Sequence, residues 1–284
     1  LSVLQEYAKA IFEDEANTDY SGRYVFAGRR TDTSLLFPDK TTNLEYEITE
    51  KLSSSAINSV KYVSGESVYN PVAGNYDTAA QSKAYHMQLA YDNCADSKIT
   101  GGLADPVKIQ LKFGTTNQAL TVKTMKSTDA DAYDVAKAGT DAIYLYDTGE
   151  VIFSENAYQT IQSNDAEIEV TYAKREFEKS DIRPEMYFGC VKYDKDKKQS
   201  YTYAEPKDQT IDFEVGFSQQ ATVNTQARDA ISTDIYRTID YIAKCVDLVN
   251  QIDTKIAEVE KQLSNTTDKT EIARLEKLKE LLKQ

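Results

Sequence analysis

From Ile235 to Leu263 the chain carries one apolar seam. Ile235, Ile239, Ile242, Val246, Val249, Ile252, Ile256, Val259 and Leu263 recur every three or four positions. Eight steps over 28 residues average 3.5, the period at which a helix keeps one face turned toward a partner helix. Lys244, Asp247, Gln251 and Glu258 lie off the seam. The pattern stops at Ser264-Asn265-Thr266-Thr267, and Asp268 followed by Glu271 has the spacing of a capping box, so a new helix starts there. Ile272, Leu275, Leu278 and Leu282 give it a seam of its own, and the two helices are predicted to fold back as an antiparallel hairpin.

The other end of the chain is also helical in pattern. Leu4, Tyr7, Ala8, Ile11 and Phe12 share one face up to about Asp19, where Ser21-Gly22 breaks the helix and a strand follows over 23–27. Between about 40 and 205 the apolar period is two. Strands are predicted over 44–48, 60–63, 87–91, 107–113, 120–125, 143–146, 151–153, 168–172, 186–193 and 200–203, with a short helix near 155–162. Residues 211–223 add one more extended stretch. The expected fold class is therefore α+β: a helical, coiled-coil-like domain built from both chain ends, with an inserted β-rich domain that is a sandwich or a barrel. Residues 1–40 and 205–284 make the helical domain with a short β-hairpin, and 41–204 make the insertion. The 1–19 helix is expected to pack against the C-terminal pair. Because the chain opens at Leu1 and stops at Gln284 inside helical patterns, it is read as the central part of a longer chain whose ends are helical.

Composition narrows the function. The 284 residues carry a formal net charge of −13 and no long basic stripe, which argues against a nucleic-acid or anionic-membrane binder and suits a protein that stays soluble before assembly. No apolar run is long enough to span a bilayer as a helix. The 20 tyrosines, in alternating contexts, fit strands with one wet face. Cys94, Cys190 and Cys245 are odd in number and widely spaced, so they imply neither a disulfide framework nor a metal set.

No residue pattern carries chemistry. The single histidine, His86, reads as a packing residue, and no serine motif accompanies it. Asp129-Ala130-Asp131 resembles the start of a calcium loop but lacks its glycine and closing glutamate, and reads as a solvated turn. Gly101-Gly102 lacks the lysine of a phosphate loop, and Asn265-Thr266-Thr267 matches only the common glycosylation pattern. The prediction is no enzyme, with no catalytic, cofactor-binding or metal residue.

Three stretches carry a family resemblance. They are Ala16-Asn17-Thr18-Asp19-Tyr20-Ser21-Gly22-Arg23-Tyr24-Val25-Phe26-Ala27-Gly28 with Thr31-Asp32-Thr33, then Ile211 to Gly216 leading to Ala221-Thr222-Val223-Asn224, and Arg183 to Phe188. The first resembles the helix end and Gly-Arg-Tyr strand of the flagellar hook-associated proteins at the hook–filament junction, a flagellin-like family. The second is similar to that family's return strands before its C-terminal helices, and the third to a middle-domain segment. Together they cover well under half the chain. The resemblance implies a secreted, extracellular structural protein of the bacterial flagellum, exported unfolded without a cleaved signal peptide, whose helical ends form a coiled-coil inner layer. Its implied partners are further subunits in a ring, the neighbouring hook-associated protein, flagellin, and an export chaperone. Two other readings stay open: a flagellin filament subunit, and a surface adhesin or binding module with a β head.

Overall fold

Two packed β-sheets form the body of the protein in the computed structural model. The structure describes residues 3, 6, 7, 10–63, 69, 70, 75, 76, 81–100, 102, 105–129, 131–207, 211–222 and 224–283. With strands numbered in chain order, the first sheet runs β15 (Gln199–Tyr203), β14 (Gly189–Asp194), β3 (Leu44–Leu52), β13 (Glu167–Lys174), β8 (Val107–Phe113) and β9 (Thr116–Ala119), antiparallel throughout. The second runs β10 (Val122–Met125), β11 (Ala142–Leu145), β12 (Glu150–Phe153), β7 (Gln81–Gln88) and β4 (Asn58–Val63). Only its β10–β11 pair is parallel. Three two-stranded pairs complete the set: β1 (Asp19–Tyr20) with β2 (Arg23–Tyr24), β5 (Tyr69–Asn70) with β6 (Asn75–Tyr76), and β16 (Asp212–Gly216) with β17 (Gln219–Thr222).

Alternation along the strands decides which faces meet. In β3 the even positions Leu44, Tyr46, Ile48 and Leu52 are buried, and Val107, Ile109 and Leu111 of β8 and Ile168, Val170 and Tyr172 of β13 join them. Tyr85, Met87, Ala142, Tyr144, Val151 and Phe153 of the second sheet belong to the same core. Phe37, Tyr46 and Phe177 close one part of it, with Phe37 and Phe177 ring centroids 4.7 Å apart and Tyr46 edge-on to Phe177 at 5.0 Å. The outer face of the five-stranded sheet has a smaller core, Ala84, Ile143, Leu145 and Ile152. It is covered by Ala132 and Val135 from the 126–141 crossover, which includes a helical turn, α1 (Val135–Ala138). A parallel pair needs such a crossover, because a tight turn cannot reverse the chain twice.

Helix ends follow local chemistry. Ser154 caps α2 (Glu155–Asn164) by accepting from the Ala157 N–H at 3.2 Å, and α2 turns Ala157 and Ile161 into the main core. Further on come α3 (Pro184–Tyr187), α4 (Ala227–Ala230), α5 (Thr233–Asn265) and α6 (Lys269–Leu282). Helices α5 and α6 pack on one another through Val259 and Leu275, both buried, and an ion pair of 2.8 Å between Lys279 and Glu260. Asp268 caps α6 by accepting from Thr270 and Glu271 N–H groups at 2.8 and 3.5 Å. The Glu271 carboxylate turns forward to Arg274, so only half of the predicted capping box forms.

The expected fold class is overturned. The molecule is mostly β-sheet, and among the described residues there is no helical, coiled-coil-like domain built from both chain ends. The first helix ends at Glu15 rather than near Asp19, its last turn widened to a π-helix over Ile11–Glu15. Of its predicted apolar face, Tyr7 and Ile11 are exposed instead of lying on α5, and so is Val3, while Leu4, Ala8 and the Phe12 side chain lie outside the described residues. Residues just past the helix tie this end to the sheets: Ala16 is buried in the main core, and Asn17 Oδ1 accepts from the Leu35 N–H at 2.9 Å. The 23–27 strand shrinks to two residues of a tight hairpin. Ser21 and Gly22 both have positive φ, 53° and 76°, the geometry of a two-residue hairpin turn rather than of a helix end.

Several strand predictions also move: 44–48 lengthens to Leu44–Leu52, and 120–125 shortens to Val122–Met125. The one at 87–91 lies at 81–88, because Ala90 leaves the ladder to donate to Glu50. The one at 186–193 begins only at Gly189, because Pro184 starts a helical turn through Tyr187.

Candidate functional site

The residues singled out in the sequence lie apart and serve the fold. His86 is buried on the outer face of β7 with its Nδ1 3.7 Å from Glu150 Oε1, beneath the 126–141 crossover. Glu150 also accepts from the Thr148 hydroxyl at 2.8 Å and the Tyr133 hydroxyl at 3.3 Å. Burial first, and then this carboxylate, push the Tyr133 phenol above its ordinary range. Cys94 is buried, and desolvation pushes its thiol up to about 12, which leaves it an apolar filler rather than a nucleophile. Cys190 is buried likewise, and burial raises its thiol too. Cys245 sits half-buried on α5.

Asp129 and Asp131 build a turn. Asp129 accepts from the Lys126 N–H at 2.8 Å, while Asp131 takes a left-handed backbone and pairs with Lys137 at 2.6 Å. Gly102 lies against Ile99 and Glu47, so close that a Cβ there would sit 2.6 Å from an Ile99 side-chain carbon. Gly101 lies outside the described residues. No group of three or more His, Cys, Asp and Glu side chains that could hold a metal occurs among the described residues.

Two features stand out in the structure. The first is a buried carboxylate. Glu50 occupies the inward phase of β3 with no exposed surface. The Ala90 N–H donates to its Oε1 at 3.0 Å, the Tyr172 hydroxyl bonds the same oxygen, and the Arg237 guanidinium of α5 pairs with Oε2. Burial and then Glu50 hold the Tyr172 phenol well above its ordinary value. A signal existed: in Leu44–Leu52 a glutamate stands at a position whose alternates are Tyr46, Ile48 and Leu52. An acid in apolar phase must find donors or not fold.

The second feature is exposed apolar surface. The α5 seam divides in two. Its distal half, Ile256, Val259 and Leu263, turns toward α6, and Val259 is buried. Nearer its start the seam is open at Ile242, Val246 and Ile252, each more than a third exposed, and at Val249, 56% exposed, while the side chains of Ile235 and Ile239 lie outside the described residues. In the stretch 241–256 the charged residues are Lys244, Asp247, Asp253 and Lys255, which cancel in a chain of net charge −13. The β16–β17 hairpin is open as well: Phe213, Val215 and Phe217 alternate along it and all are exposed. Contiguous apolar surface of this kind marks a contact site, because leaving it in water forgoes about 25 cal/mol per Å².

The first resemblance segment meets the chain just past the end of the second. Ala27 bridges Gln226, and the Ala227 N–H donates to the Phe26 carbonyl at 2.8 Å, joining segments that lie on opposite sides of the β body in sequence. Comparison of the chain with protein-family models, with curated proteins and with solved structures finds no match.

Proposed function

We propose that the chain is a structural subunit of the bacterial flagellum, in the ring that joins hook to filament, acting by assembly and without catalysis. The observation that carries the assembly part of this reading is the open part of the α5 seam, an apolar helix face in a stretch whose charges cancel, on an otherwise acidic protein. The flagellar part rests on the resemblance of residues 16–33 and 211–224, which flank the β body in the order that family uses. On this reading the partners are further copies of the chain, the neighbouring hook-associated protein and flagellin, with an export chaperone covering apolar surface before assembly. The place of action is outside the cell.

Deleting the gene from its source bacterium, followed by electron microscopy of the cells and immunoblotting of the medium for flagellin, tests the proposal. Hooks without filaments, with flagellin lost to the medium, are the expected result. Intact filaments would remove the flagellar reading in favour of a surface adhesin. Loss of filament together with all flagellin signal would make the chain flagellin itself.

A further inference from the structure

We infer that α5 and α6 form an arm on the β-sandwich and that the Glu50–Arg237 ion pair is the latch that sets its docked angle. This inference is independent of the assembly reading. Arg237 lies one turn into α5, and its guanidinium reaches a carboxylate that has no exposed surface. Past that point the side chains of Ile242, Val246, Leu248, Val249 and Ile252 are all exposed, so by about two and a half turns from its start the helix has left the body. Among the described residues its broad packing is against α6 rather than against either sheet.

The root has the parts of a pivot. Ala227 and Ile231 are buried in the main core and hold α4 to the body, while Arg228 pairs with Glu205 at 3.3 Å. Helix α4 ends at Ala230, and Ile231, with an extended backbone (φ −135°, ψ 101°), and Ser232 separate it from α5 starting at Thr233. Two non-helical residues therefore join a fixed helical turn to a long rigid one, and hinges are built from such element-terminal positions.

The ion pair makes the pivot two-state. Docked, the Glu50 carboxylate has Arg237, Tyr172 and the Ala90 N–H as donors. A partial swing would strand a charge in the sandwich interior, which is the costly way to break a buried pair. Full release hydrates both charges. A cleft of about 30 Å³, lined by Leu89, Tyr91, Asp92, Asp181 and Arg237 among others, lies beside the pair. That is room for one water molecule, the solvent such a release must admit.

The test is a distance measurement on the full chain. Spin labels go on Asn117→Cys of β9 and Ser264→Cys near the end of α5, both exposed, in a Cys245→Ser background. The parent should give one narrow distance distribution. Arg237→Met should keep the sandwich's cooperative near-ultraviolet melting transition but raise the undocked population about a hundredfold, seen as a broadened and shifted distribution. Arg237→Lys, which keeps the charge, should retain the narrow distribution. An unchanged distribution in Arg237→Met overturns the inference, because the packing of Ala227 and Ile231 then fixes the arm unaided. Loss of the sandwich's folding transition in Arg237→Met overturns it too, since arm and body would be one cooperative unit.

Discussion

Single residues here are constrained by neighbours far away in sequence. Gly149 has φ +67°, and a Cβ built on it would lie 2.0 Å from the Tyr91 carbonyl oxygen. Gly114 has a similar φ of +55° but open space around it. Replacing either by alanine costs about 1–2 kcal/mol for the left-handed backbone alone. Urea unfolding should therefore show Gly149→Ala losing clearly more stability than Gly114→Ala, the excess measuring the backbone clash. Glu205 offers a test by pH. The Lys51 ammonium donates to it at 2.6 Å and holds its carboxyl below the usual range, against an opposing effect of burial, with Lys207 and Arg228 adding to the attraction. A depressed carboxyl contributes stability that is complete above the unfolded value of about 4.3 and is lost as pH falls through the folded value. Thermal melts should show Glu205→Gln less stable than the parent at neutral pH, with the two curves converging as pH falls through the lowered folded value.

At the scale of elements, sequence signals suffice where the chemistry is local. Strand 107–113 and the helix start at Asp268 follow from alternation and from a cap within three residues. Asp268→Ala should lower the stability of the α5–α6 hairpin by about 1 kcal/mol, measured as reduced helicity by far-ultraviolet circular dichroism on heating. Other element ends are set from outside the element. Strand β7 stops at Gln88 because the next residues turn toward Glu50 on another sheet, and no periodicity within 81–91 announces that. Gly22 likewise has the left-handed backbone its type suggests, yet it closes a hairpin, since Tyr20 and Arg23 face one another across it.

For the whole molecule, the open part of the α5 seam is the surface with most consequence. Substituting Val246 and Val249 together by lysine should abolish concentration-dependent association in sedimentation velocity. The melting temperature should stay nearly unchanged, because exposed positions without special contacts shift stability by only about 0.5 kcal/mol. The exposed Phe217 of the β16–β17 hairpin provides a second, separate site for the same measurement.

The periods are legible in the chain alone: two through the middle, 3.5 from Ile235 to Leu263, with turn and cap chemistry between them. Those depend on neighbours within a few residues. What each apolar face meets is settled only by the folded whole. The stripe of Leu4, Tyr7, Ala8, Ile11 and Phe12 is legible, but that Tyr7 and Ile11 stay exposed while Ala16 sinks into the sandwich is not. The inward phase of Glu50 is legible too, but not that Arg237, 187 residues later, comes to neutralise it. Period is a property of the helix or strand itself, whereas the choice of partner is a competition among all faces of the chain for the same buried space.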